Sequence, residues 1–140
     1  MSLDPAFRWT VRVYWEDTDA GGVVYHAAYL RFLERGRSEL LRALGLEQRE
    51  LAASRGIVFA IRRIAVRFHK PARLDELLQV LTRIERLGPA SARFAQAIER
   101  AGETLATAEV DAACLRADDF RPLPIPEDLR QRLAQVPPHA

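Results

Sequence analysis

The stretch from Val11 to Arg37 constrains the fold more than any other part of the chain. It reads V-R-V-Y-W-E-D-T-D-A-G-G-V-V-Y-H-A-A-Y-L-R-F-L-E-R-G-R. Val11, Val13 and Trp15 alternate with Arg12, Tyr14 and Glu16, the period-2 pattern of a half-buried strand. An acidic, Gly-rich turn follows, and then an amphipathic helix. Tyr29, Phe32, Leu33, Gly36, Leu40 and Leu44 fall on one stripe at 3.6 residues per turn, while Arg31, Glu34, Arg35, Ser38 and Arg42 lie away from it. From Val23 to Leu44 such a helix is about 33 Å long, and Gly45 is its stop signal. This order sets Asp19 just ahead of a helix start, where backbone N–H groups are unpaired and the dipole potential is positive. A base or nucleophile beside an oxyanion site is the core of a hydrolase.

The rest of the chain reads mostly as strands. Leu46 to Arg55 has the pattern of a short second helix ending at Gly56. Ile57, Phe59 and Ile61 then alternate on odd numbers, and Ile64, Val66 and Phe68 on even ones. The phase slips at Arg62-Arg63, which predicts a bulge in one long strand. Further strands are expected over Glu76–Glu85, Ser91–Arg100 and Thr104–Arg116, joined by the turn pairs Gly88-Pro89 and Ala101-Gly102. Ala106, Ala108, Val110, Ala112 and Cys114 give the last strand a small, apolar face on which a helix can lie close. Pro122, Pro124 and Pro126 end the sheet, and Glu127 to Gln135 reads as a terminal helix before a Pro-rich end. The expected class is α+β, with an antiparallel five-stranded sheet wrapped around one long central helix, the hotdog arrangement. Its exposed sheet edge predicts a homodimer or homotetramer.

A chain of 140 residues forms one domain, residues 1–140, with a core over about residues 7–118. Cys114 has no partner for an internal disulfide and reads as core. The N-terminus lacks an apolar leader, so the expected compartment is the cytoplasm. The longest uncharged run, Ala20 to Leu30, is too short to span a bilayer. A net charge of +2 does not call for nucleic acid, although Lys70 is the sole lysine among 21 basic residues. Arginine favours bidentate contact with phosphate or carboxylate, so an anionic small ligand fits better. Arg62, Arg63, Arg67, Lys70 and Arg73 form the basic cluster for such contacts.

Asp17-x-Asp19 has the spacing of a divalent-metal pair, but no phosphate loop or further acidic cluster supports it. His26, His69 and His139 lack zinc-ligand spacing. No metal is expected. Taken alone, Asp19 also suits a turn or N-cap residue, and Gly21 and Gly22 suit a tight turn that permits positive φ and close substrate approach. Glu34 reads as a salt-bridge partner for a neighbouring arginine.

The block Tyr14-Trp15-Glu16-Asp17-Thr18-Asp19-Ala20-Gly21-Gly22-Val23-Val24-Tyr25-His26, followed by Tyr29, Phe32, Glu34 and Arg37, resembles the 4-hydroxybenzoyl-CoA thioesterase family, closest to its YbgC-type acyl-CoA thioesterases. Arg67 to Glu76, R-F-H-K-P-A-R-L-D-E, matches the same family. The resemblance implies hydrolysis of an acyl-CoA thioester to a free acid and CoA without metal or organic cofactor, coenzyme A entering only as part of the substrate. It aligns Asp19 with the catalytic carboxylate, as nucleophile or general base, and His26 with the helix start. There a backbone N–H of Tyr25 or His26 would hold the thioester oxygen, the His26 side chain also taking part. Trp15 departs from the tyrosine common in these relatives and stands as an indole donor or a packing residue. The basic cluster would hold the phosphates of coenzyme A at a subunit interface. An acyl-carrier-protein thioesterase is the alternative, as is a non-catalytic acyl- or partner-binding protein of phospholipid metabolism or the cell envelope, since YbgC-type proteins are associated with the Tol-Pal system.

Overall fold

The computed structural model describes residue 3 and residues 5–135. Strand β1 (Phe7–Arg12) leads through a 3-10 turn at Trp15–Asp17 to helix α1 (His26–Ala43). A short α2 (Gln48–Glu50) continues as a π-helical turn over Leu51–Arg55, and Gly56 ends it with φ 64°. Four strands follow, β2 (Ile57–Phe68), β3 (Leu77–Leu87), β4 (Ser91–Arg100) and β5 (Glu103–Arg116), and then α3 (Glu127–Leu133). The strands make one five-stranded sheet in the order β1-β3-β4-β5-β2, with every pairing antiparallel. Helix α1 lies on one face of this sheet, which is the hotdog arrangement.

Two expectations at the N-terminal end need correction. Alternation does not carry β1 as far as Trp15, because the Asp17 carboxylate accepts the Tyr14 N–H (2.8 Å) and folds the chain into a turn. Val11 and Val13 are buried as predicted, whereas Tyr14 and Trp15 are both exposed instead of taking opposite faces. Helix α1 starts at His26 and not Val23. Val23 and Val24 bridge to Arg73 and Thr18, and Tyr25 is an extended N-cap residue, so α1 spans 18 residues, about 27 Å.

The helix buries the stripe read from its periodicity, together with Ala28, Arg37 and Leu41. It lies tight against the sheet at Gly36, where an added Cβ would sit 2.6 Å from Val80 Cγ1. Beneath it Gln96 Nε2 donates to the Leu33 carbonyl and to Thr82 Oγ1, both at 2.9 Å, and Gln96 Oε1 accepts from Arg37 at 3.0 Å. Burial pushes the Arg37 guanidinium down from its ordinary value, partly offset by Glu34. The predicted phase slip in β2 falls between Ile61 and Arg63. Ala106, Val110, Ala112 and Cys114 are buried, and burial pushes the Cys114 thiol up. Ile125, Leu129 and Leu133 join the same core as Leu40 and Phe94, so the core runs past residue 118. The Pro-rich end lies outside the described residues, as does His139.

Candidate active site

Asp19 opens a three-residue hairpin loop. Its N–H donates to the Val23 carbonyl (2.9 Å) and its carbonyl accepts the Gly22 N–H (3.0 Å), while Thr18 pairs with Val24. Gly22 takes φ +80°, the left-handed position that closes such a loop and that L side chains rarely adopt. Gly21 serves differently. Its N–H donates to Asp19 Oδ1 (2.8 Å), and a Cβ there would stand 3.1 Å from that same oxygen. One carboxylate oxygen is thus held, and the other accepts no hydrogen bond among the described residues. The N-cap of α1 is Tyr25, so the carboxylate is not a helix cap.

Asp17, which the sequence offered only as half of a metal pair, is the brace of this loop. It is only 3% exposed. Oδ2 accepts the Tyr14 N–H and Oδ1 accepts from Arg31 on α1 (3.1 Å), so both its oxygens are engaged within the fold, whereas Asp19 is exposed. Its carbonyl also accepts the Tyr25 N–H (2.8 Å). That bond removes Tyr25 from the two backbone donors expected for an oxyanion. With Ala28 N–H donating to the Tyr25 carbonyl (2.8 Å), the N–H groups of His26 and Ala27 are the ones left open at the start of α1 among the described residues. Among the described residues no three His, Cys, Asp or Glu side chains converge as metal ligands would.

The second sequence block folds against the first. Val24 N–H donates to the Ala72 carbonyl (2.8 Å), Ala72 N–H donates to the buried Tyr29 hydroxyl (3.0 Å), and Val13 exchanges backbone bonds with Asp75 and Glu76. Arg100 pins this segment through Glu76 and the Pro71 carbonyl. At the end of β2, Phe68 is 49% exposed and stands edge-on to Tyr29 and His26, with ring centroids 5.2 and 6.5 Å away. Tyr25 lies against His26 at 4.3 Å. The result is an open aromatic wall beside the start of α1.

The remaining expected residues scatter. Trp15 is 83% exposed and packs in no core cluster among the described residues. The basic cluster divides. Arg73 bridges to Val23 at the Asp19 loop, Lys70 is paired with Glu103, and Arg67 lies further along β2. Arg62 and Arg63 open onto a separate cavity with Arg86 and Arg93. Glu34 accepts from Ser38 (3.3 Å) and makes no arginine salt bridge among the described residues.

A five-stranded antiparallel sheet with one long helix on its face, the hotdog arrangement, frames the Asp19 loop and the start of α1. The chain belongs to the thioesterase-like superfamily, whose family model matches residues 13–133. It is 44% identical to the acyl-CoA thioester hydrolase YbgC of Escherichia coli O6:H1 over 124 residues, covering 88% of this chain and 92% of that one. It is 40% identical to the acyl-CoA thioesterase YbgC of Haemophilus influenzae, covering 91% of this chain and 94% of that one. A crystal structure described as a probable thioesterase from Bartonella henselae superposes with a TM-score of 0.83 at 40% identity, covering 86% of this chain and 99% of that one. No helix among the described residues is long and apolar enough to cross a membrane.

Proposed function

We propose that this protein hydrolyses acyl-CoA thioesters to a free acid and CoA, with Asp19 as the catalytic carboxylate. The observation that carries the reading is Asp19 itself. Among the described residues one oxygen is fixed by Gly21 N–H and the other is open, in a loop tied directly to a helix start whose first N–H groups are unpaired. In this reading the carboxylate takes a proton from attacking water, or attacks the carbonyl carbon itself to give a mixed anhydride that water then opens. Either way the carbonyl oxygen gains negative charge, which His26 N–H receives and the helix dipole stabilises. The C–S bond breaks, and the thiolate leaves without needing a strong acid. The His26 ring and Phe68 flank the acyl group, and Trp15 and Arg73 lie where the rest of the substrate enters.

The pocket is completed by a second copy of the chain. Strand β2 is an unpaired sheet edge, and Ile61, Ile64 and Phe68 leave the helix-facing side of that edge exposed. A long apolar edge of this kind is normally covered. Pairing of β2 with a second β2 would cover it and wall the open side of the aromatic pocket. Sedimentation of the purified protein tests this, the expected species being a dimer or a tetramer and a monomer contradicting it.

Release of CoA thiol from short, medium, long and aromatic acyl-CoAs, beside the corresponding acyl-carrier-protein esters, tests the activity. Turnover of a CoA ester supports the proposal. Turnover of carrier-protein esters alone would shift the substrate, and none of either would leave a binding role.

A further inference from the structure

The face of the sheet turned away from α1 carries a row of charge outside the Asp19 loop. Register sets Arg63 opposite Asp111, Asp111 opposite Arg93, and Arg93 opposite Arg86. These side chains form one line across β2, β5, β4 and β3, about 14 Å end to end at the usual strand spacing. A β-bulge falls at each end of the line, between Ile61 and Arg63 and between Ile84 and Arg86. The first inserts Arg62 beside Arg63, and the second brings Arg86 level with Arg93. Bulges re-aim the side chains around them. Arg62, Arg63, Arg86, Arg93 and Asp111 all line one open cavity of about 370 Å³, together with Ser91.

Charge in this cavity is unbalanced. Arg93 holds Asp111 through Nε at 2.7 Å and Nη2 at 3.2 Å. Arg63 reaches Glu109 at 3.4 Å and Asp111 at 3.8 Å, and Arg93 also reaches Glu109 at 3.7 Å. The hydrogen bond from Arg93, followed by the charges of Arg93, Arg63 and Arg86, holds the Asp111 carboxyl below its ordinary value. Asp111 and Glu109 are therefore engaged by Arg63 and Arg93, and Glu85 adds its charge at Arg93. Arg62 and Arg86 have no ion-pair partner among the described residues. Like charges directly opposed on neighbouring strands repel, as Arg93 and Arg86 must, unless an anion lies between them. Guanidinium forks match phosphate oxygens two at a time, and a row this long suits more than one phosphate group.

We infer that this arginine row binds a phosphate-bearing ligand, an organic pyrophosphate or phosphomonoester, on the face of the sheet opposite α1. Such groups come from the nucleotide end of a CoA ester or from a free polyphosphate, and the chemistry is the same. Binding here does not depend on whether Asp19 hydrolyses a thioester.

Calorimetric titration of the purified protein with inorganic pyrophosphate at low ionic strength tests it. Wild type binds saturably, and Arg62→Ala and Arg86→Ala each weaken binding about tenfold by removing a charge-assisted contact. Asp111→Asn, which removes the competing carboxylate, tightens it. No saturable binding by wild type, or binding indifferent to all three substitutions, overturns the inference even if thioester hydrolysis is intact. Conversely, pyrophosphate bound through Arg86 by a protein that hydrolyses nothing upholds it. CoA, 3′-dephospho-CoA and phosphate-free pantetheine identify the source. A CoA affinity that falls in Arg86→Ala, while that for pantetheine does not, assigns the row to the substrate's nucleotide. A loss confined to pyrophosphate assigns it to a free phosphate ligand.

Discussion

Replacing Gly36 by alanine sets two effects of opposite sign against each other. Alanine is better than glycine inside a helix by about 1 kcal/mol, so on a solvent-facing surface the change would stabilise α1. At this position the new methyl would stand 2.6 Å from Val80 Cγ1, 2.9 Å from Thr82 Oγ1 and 3.3 Å from Gln96 Nε2. None of these can step back freely. Val80 and Thr82 are fully buried, and Gln96 is held by Leu33, Thr82 and Arg37. Overpacking of a core costs about 1–3 kcal/mol, and a rigid polar network puts this site at the upper end. The net expectation is a loss of about 2 kcal/mol, or about 4–8 °C in Tm for a chain of this size. Urea and thermal unfolding of Gly36→Ala and wild type, at matched protein concentration, measure it. A variant more stable than wild type would refute the close approach of α1 to β3.

Three further outcomes are expected. Ala101 takes φ 49° beside Gly102 at 83° in the β4–β5 turn, so Ala101→Asn, better suited to the left-handed region, should add on the order of 0.5 kcal/mol in the same unfolding assay. Because Arg93 lowers the Asp111 pKa in the folded state, the ionised carboxylate stabilises the fold above the ordinary value of about 4, and that contribution is lost as pH falls through the lower folded value. The stability gap between wild type and Asp111→Asn should therefore be full at neutral pH and close in acid. Cys114, buried and with its thiol pKa raised, should react with a thiol reagent only as the protein unfolds in urea.

The sequence made the frame legible because its periodicities reflect burial. The buried stripe of α1 follows the 3.6-residue spacing from Tyr29 to Leu40, and the slip at Arg62-Arg63 marks a real bulge. It misled where a local side-chain bond overrides a pattern. Trp15 continues the strand alternation perfectly, yet the Asp17 carboxylate turns the backbone at Tyr14, and no period can announce that bond. The helix start failed for a related reason, since Val23 and Val24 are apolar enough to extend the stripe but are claimed by Arg73, Thr18 and Ala72. The long-range partnerships were hidden as well. Gln96 beneath Gly36, and Arg86 and Arg93 in line with Arg63, become neighbours only through strand register. The Asp-X-Asp pattern did carry a clue to Asp17, because an acid two residues before a turn carboxylate repels it unless tied elsewhere, as Arg31 does here.

The central claim rests on one carboxylate oxygen left open in the Asp19 loop. Asp19→Asn keeps an acceptor for the Gly21 N–H and so leaves the loop closed, while removing the charge on which the proposed mechanism depends. The rate of CoA-thiol release by this variant and by wild type, on whichever acyl-CoA wild type turns over best, is the most direct measurement. A fall of about 10² to 10⁴ in kcat, with folding unchanged, is predicted. An Asp19→Asn enzyme as fast as wild type would contradict the account.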